Sequence, residues 1–211
     1  MSAIYRTLSD PRVGRAISNS AKALALARQI ATMLNVETKN FDTSPFPGAA
    51  VDNSGTVVSL SNIPSEESAT DQGSARDGDQ VRYKSIYLRG QVQIHASATA
   101  TRLRMMLLID KQSNAGLPSV ADILEGGGID NPMNMANRMR FRILRDHVFL
   151  LDSDDPQRLV KQYVKLYGRA VWAGDTTDEA STNNLVLVMI SNEATNTPTA
   201  TISARLRYVD N

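Results

Sequence analysis

Across residues 78–95 apolar and polar side chains alternate. Ile86, Leu88, Val92 and Ile94 recur at every second position, with Tyr87, Arg89, Gln91 and Gln93 between them. A period of two predicts a half-buried strand, and a run longer than the usual ~5–6 residues predicts a large sheet. Gly78-Asp79 opens the run with a turn signal, and Gly90 in its middle predicts a bend or bulge.

The same period returns downstream. In 101–110, Leu103, Met105, Leu107 and Ile109 alternate with Arg102 and Arg104. In 138–152, Phe141 and Ile143 alternate with Arg140 and Arg142 until the phase breaks near Leu144-Arg145-Asp146, which predicts a bulge or tight bend. In 159–172, Val160, Val164, Leu166, Ala170 and Trp172 stand against Lys161, Tyr163, Lys165, Tyr167 and Arg169. Residues 185–190 are apolar throughout, as in a central strand. In 200–209, Ile202, Ala204, Leu206 and Tyr208 oppose Ser203, Arg205 and Arg207. With a short strand at 56–61 the total is about eight strands, the number of a β-sandwich or jelly roll. The parity places Ile86, Leu88, Val92, Leu103, Met105, Leu107, Phe141, Ile143, Leu166, Trp172, Leu187 and Leu206 in the core.

The pattern differs in two places. Ser20 is followed by an Ala- and Leu-rich run with Leu24, Ala27, Ile30, Ala31 and Leu34 on one stripe, which predicts an amphipathic helix over about 20–35. The stripe needs a cover: the sheet, or copies of itself from neighbouring subunits. Ser119 can cap a short helix at 120–125 that Gly126-Gly127-Gly128 ends. Residues 40–55, with Pro45, Pro47, Gly48 and Gly55, read as loop, as do 62–79 and 173–183. The expected organisation is an arm, residues 1–49, ahead of a β domain, residues 50–211.

Composition narrows the chemistry. The chain holds no cysteine, which excludes disulfides and thiolate chemistry. Its longest purely apolar run, 185–190, is far too short to span a bilayer, so no membrane partner is expected. The only histidines, His95 and His147, lack neighbours at metal-ligand spacing. No nucleophile elbow and no phosphate loop occurs. Asp152-Ser153-Asp154-Asp155 begins like a calcium loop, but Gln157 stands at its sixth position and Tyr163 at its twelfth, so a solvated acidic turn is the better reading. No enzyme and no cofactor is expected; calcium between subunits cannot be assigned from this pattern.

Charge adds more than its net value of +1. Residues 40–80 hold Arg76 as their only Lys or Arg, against Asp42, Asp52, Glu66, Glu67, Asp71, Asp77 and Asp79. Basic side chains gather instead in the first 39 residues and on alternate positions of the strands: Arg102/Arg104, Arg140/Arg142 and Lys161/Lys165/Arg169. Such faces suit a phosphate backbone without base reading, and Tyr163 and Tyr167 between the lysines could stack bases. Equally, these arginines could bridge to acidic loops of a neighbouring subunit.

The block from Gly78-Asp-Gln-Val-Arg82 to Leu88-Arg-Gly90, then strand 103–110, then Pro118-Ser-Val-Ala-Asp-Ile-Leu124 and Arg140-Phe-Arg-Ile-Leu-Arg-Asp146, resembles the coat protein of satellite tobacco necrosis virus. The same order occurs in capsid proteins of small circular single-stranded DNA viruses, and residues 183–190 with 200–210 are similar to the end of geminivirus-type coat proteins. The resemblance spans roughly residues 50–211. It implies an all-β fold, an eight-stranded single jelly roll of two packed antiparallel sheets with an N-terminal amphipathic helix. It also implies self-assembly into a small icosahedral shell, about sixty copies in the simplest closed form, found in the virion around single-stranded RNA or DNA. The family's basic arm binds the cargo; here that role falls to Arg6, Arg12, Arg15, Lys22 and Arg28, with Arg102, Arg104, Lys161, Lys165 and Arg169 on strand faces. The arm lacks a dense arginine cluster. Either the strand faces share the load, or the genome is poorly ordered, or a more basic leader precedes these residues. The acidic loops 62–79 and 173–183 are expected away from the cargo. A cellular carbohydrate-binding jelly roll is the alternative, against which stands an aromatic content of only 5%.

Overall fold

The computed structural model describes residues 22–24, 26, 38–67, 69, 72–174 and 179–210. Residues 22–24 and Leu26 are helical, with Leu24 and Leu26 exposed. The rest of the expected 20–35 helix, and with it most of the stripe, lies outside the described residues. The chain divides into two compact units, Met1–Glu37 and Thr38–Asn211. The second unit starts ahead of residue 50, because the stretch read as loop supplies a strand.

That unit consists of β1 (Thr38–Ala50), β2 (Thr56–Ser59), β3 (Gln80–Gln93), β4 (Ala100–Asp110), α1 (Val120–Ile123), β5 (Phe141–Asp152), β6 (Gln157–Val171), β7 (Asn184–Ser191) and β8 (Thr199–Asp210). The strands form two four-stranded antiparallel sheets, β1-β8-β3-β6 and β2-β7-β4-β5. Each pair β1/β2, β3/β4, β5/β6 and β7/β8 crosses from one sheet to the other, the jelly-roll winding. β1 is the strand the sequence pattern hid. It is an edge strand, where prolines cost no ladder hydrogen bond, and its pairing with β8 slips between Thr43 and Phe46 and again between Pro47 and Ala49.

Phe46, Tyr83, Ile86, Leu88, Val92, Leu166, Leu206 and Tyr208 of the first sheet pack on Leu103, Met105, Leu107, Phe149, Leu151 and Leu187 of the second. Trp172, just past β6, joins this core. A second cluster lies on the outer side of the β2-β7-β4-β5 sheet. There Met106, Leu108, Val186, Val188 and Ile190 are covered by Val120, Ile123, Leu124 and Phe141. Two covered faces explain why 185–190 is apolar at every position. Of the expected core residues, Phe141 belongs to this second cluster, and Ile143 is corrected: it is 37% exposed. Leu107 and Leu108 pair with Arg145 and Ile143, so Leu144 is the extra residue of a bulge and turns inward in place of Ile143.

α1 is held at its start by a capping box. The Asp122 amide donates to Ser119 Oγ at 3.2 Å, and the Ser119 amide donates to the Asp122 carboxylate at 2.8 Å. After Ile123 the chain turns through Gly126 and Gly127 at φ 64° and 74°, a left-handed backbone that favours glycine. The bend expected at Gly90 is also corrected, since β3 keeps one register from Ser85 to Gln93 with both neighbours and shifts at Lys84 instead. Gly90 answers a close approach: a Cβ there would overlap the carbonyl of Thr201 on β8.

The registers place the short connections 51–55, 94–99, 153–156 and 192–198 at one end of the sandwich. They carry Asp52, Asp154, Asp155 and Glu193 and no Lys or Arg. The long connections 60–79, 111–140 and 172–183 lie at the other end. Arg76, fully buried, ties two of these together. It donates to the carbonyls of Ile63 (3.3 Å), Gly78 and Gly174 (2.8 Å), and its guanidinium lies 4.9 Å from the ring centre of Trp172.

Candidate nucleic-acid interface

The outward face of the β1-β8-β3-β6 sheet gathers most of the strand-borne positive charge. Alternation points one side of each strand outward. This side holds Arg82, Lys84 and Arg89 on β3, Lys161, Lys165 and Arg169 on β6, and Arg205 and Arg207 on β8, all exposed. The pairing arranges them in rows. Arg89 stands opposite Lys161, and Arg82 opposite Arg169. Ser85 lies between Lys165 and Arg207, and Tyr87 between Tyr163 and Arg205. Tyr163 and Tyr167 are 55% and 71% exposed.

Among the described residues, neutralisation of this face is slight. Arg205 is bound by Asp42 through two hydrogen bonds of 2.7 and 2.6 Å. This pairing raises the Arg205 pKa and holds the Asp42 carboxyl below its usual range. Arg169 donates to the Gln80 side-chain oxygen at 3.2 Å. Arg82, Lys84, Arg89, Lys161, Lys165 and Arg207 make no ion pair among the described residues. Like charges directly opposite one another across strands destabilise a sheet, yet two such pairs stand here.

Arg102 and Arg104 do not share this surface with Lys161, Lys165 and Arg169, because β4 and β6 lie in different sheets. Arg102 and Arg104 point outward from the other sheet and are engaged inside their own chain. Arg102 forks onto Asp130 at 2.6 and 2.8 Å. Arg104 forks onto Asp146 at 2.9 and 2.7 Å and donates to the carbonyls of Ile129 and Asn131, both at 2.8 Å; the Asp146 hydrogen bonds raise its pKa. Arg140 is likewise bound to the buried Asp110 at 2.9 and 2.7 Å. These arginines fasten the 111–140 connection across the second cluster. Strand parity separates two sides of one strand, but it does not say that β4 and β6 belong to different sheets. Lys22 is exposed; Arg6, Arg12, Arg15 and Arg28 lie outside the described residues.

Arg82, Lys84, Arg89, Arg205 and Arg207 were absent from the sequence-derived set. Their signal was present, the same alternation as Lys161 and Lys165, but what unites them is adjacency of β3, β6 and β8. The acidic turn after β5 is self-capped: Asp152 accepts from the amides of Asp154 and Asp155 at 3.0 and 2.8 Å. Among the described residues no group of three or more His, Asp or Glu is placed to hold a metal, and no helix is long and apolar enough to cross a membrane.

A family model described as satellite tobacco necrosis virus coat protein matches residues 13–211. The chain belongs to that family. It is a viral capsid protein, a component of the virion. Solved structures similar to this coat protein include that of Desmodium yellow mottle tymovirus, at 9% identity with a TM-score of 0.40, covering 82% of this chain and 86% of that one. The empty head of turnip yellow mosaic virus is similar at 11% identity and a TM-score of 0.40, covering 82% and 80%. A 60-mer BFDV capsid protein is similar at 8% and 0.30, covering 82% and 89%. Among curated proteins no match is found.

Proposed function

We propose that the coat protein acts as a structural unit, not an enzyme, that closes with copies of itself into a small icosahedral shell and holds single-stranded nucleic acid against the outward face of its β1-β8-β3-β6 sheet. The observation that carries the cargo side of this reading is the opposed pairs Arg89/Lys161 and Arg82/Arg169. A face that repels itself in the free subunit gains most from a polyanion that neutralises it. Exposed tyrosines between the cations give bases a stacking surface without base-edge readout. Recognition of this kind is indifferent to sequence and sensitive to salt. The reading requires no cofactor.

The test is binding of the full chain to a labelled single-stranded oligonucleotide across a salt series. Removing one cation that neutralises a phosphate should flatten the slope of log affinity against log salt by about 0.7. Lys161→Ala and Lys165→Ala should each do so, on oligonucleotides of any sequence, and Arg102→Ala should not. Unchanged slopes in both lysine variants would remove the proposed interface.

A further inference from the structure

β5 is the outermost strand of its sheet, so its open side has no strand partner within the described residues. Edge strands usually carry charge that prevents pairing with another chain. β5 does so at Arg142, Arg145, Asp146 and Asp152. Between the last two, residues 147–151 read His-Val-Phe-Leu-Leu and hold no charged side chain. Val148 and Leu150 are 51% and 59% exposed, and Leu159 on the neighbouring β6 is 78% exposed. His147, Val148, Phe149, Leu150 and Leu159, together with Arg158, border one shallow depression. Isolated exposed apolar residues need no explanation, but a cluster on an open edge does.

The charges on either side are ordered. Before the apolar run stand Arg142 and Arg145, exposed and without an ion pair among the described residues, and Asp146, whose charge is taken up by Arg104 at 2.7 Å. After it come Asp152, Asp154 and Asp155, of which Asp155 is bound by Arg158 at 2.7 Å. An edge that runs basic, apolar, acidic is complementary to itself when turned end for end. A polyanion would meet repulsion at the acidic end, and a polycation at the basic end. A second copy meets neither.

We propose that the β5 edge is an isologous contact between two copies of the coat protein, related by a two-fold axis near Phe149. Val148 of one copy then faces Leu150 of the other, and Arg145 of each faces the turn containing Asp152 and Asp154 of its mate. A two-fold contact requires this self-complementarity. The proposal deepens the shell reading by naming one of the contacts a closed particle would use, and it stands on the edge's own pattern.

The absence of native cysteine makes a direct test clean. Full-length Val148→Cys and Leu150→Cys chains, mixed and mildly oxidised, should give a covalent heterodimer. Thr201→Cys, on the exposed outward side of β8, should give none when mixed with either. Arg145→Asp should weaken dimer formation at least tenfold in sedimentation, and adding Asp154→Arg to it should recover most of that tenfold. Both substitutions are at the surface, and circular dichroism confirms the fold. Crosslinking no better at 148 and 150 than at 201, or an Arg145→Asp chain that dimerises normally, overturns the contact. Normal particles from Leu150→Asp would overturn the contact and leave the shell reading intact. A crosslinked dimer from a chain that makes no particles would support the contact and overturn the shell reading. Nucleic acid that blocks the crosslink would assign the edge to cargo instead and overturn the proposal.

Discussion

At Gly90 the backbones of β3 and β8 come so close that a single added carbon would overlap the Thr201 carbonyl. Neither strand can yield alone, because both are paired on two sides. Gly90→Ala should therefore lower stability by about 1–3 kcal/mol, the usual cost of overpacking, read as a lower urea midpoint. Gly168→Ala on β6 is the control: a Cβ there meets nothing within 4 Å, so that variant should match or slightly exceed the parent, as alanine generally does against glycine within a strand. The sequence marked Gly90 as unusual without its reason, since a glycine in a strand can serve a bulge or a close neighbour. Ile143 shows the converse. Its alternation with Arg142 was visible, but the bulge at Leu144 changes which residue faces inward.

Among the elements, the strands with a clean period of two were readable and β1 was not, because Pro45, Pro47 and Gly48 carry the signals of a loop. An edge strand tolerates them, and only tertiary pairing with β8 reveals it. The candidate interface was half readable for a related reason. Lys161, Lys165 and Arg169 follow from β6 alone, whereas grouping them with Arg89 and Arg207 and apart from Arg102 requires the strand order. The short helix α1 was readable from Ser119 and its glycines, and it carries a pH dependence. Asp122 is held below the ordinary value of 3.8, first by the Ser119 hydroxyl and then by the Ser119 amide. A carboxyl with a lower pKa folded than unfolded contributes its full stability above 3.8 and loses it as pH falls through the depressed folded value. Replacing Asp122 by Asn should thus cost about 1 kcal/mol near neutrality, as caps do. The difference from the parent should shrink in urea titrations taken below the ordinary value.

Over the whole molecule, charge is sorted by place. Three of the four short connections at one end carry acidic side chains and none carries Lys or Arg, and one sheet face is basic and, among the described residues, largely unpaired. In a closed shell, symmetry gives every subunit's basic face the same orientation toward the particle. Bringing those faces together concentrates like charge, and the cost depends on screening. At an ionic strength of about 0.01 M the Debye length is about 30 Å and neighbouring faces repel one another; at about 1 M it is about 3 Å and they do not. At low ionic strength, where it would bind such a face most tightly, single-stranded nucleic acid would supply the missing negative charge. Assembly of the purified chain, followed by light scattering and negative-stain microscopy, should therefore be suppressed at low salt and recover at high salt. Adding single-stranded RNA or DNA should permit it at low salt. Replacing Lys161 and Lys165 together by Gln should make low-salt assembly less dependent on nucleic acid, because the face repels itself less. If empty shells form equally well at both ionic strengths and that double variant behaves as the parent does, the basic faces do not govern closure.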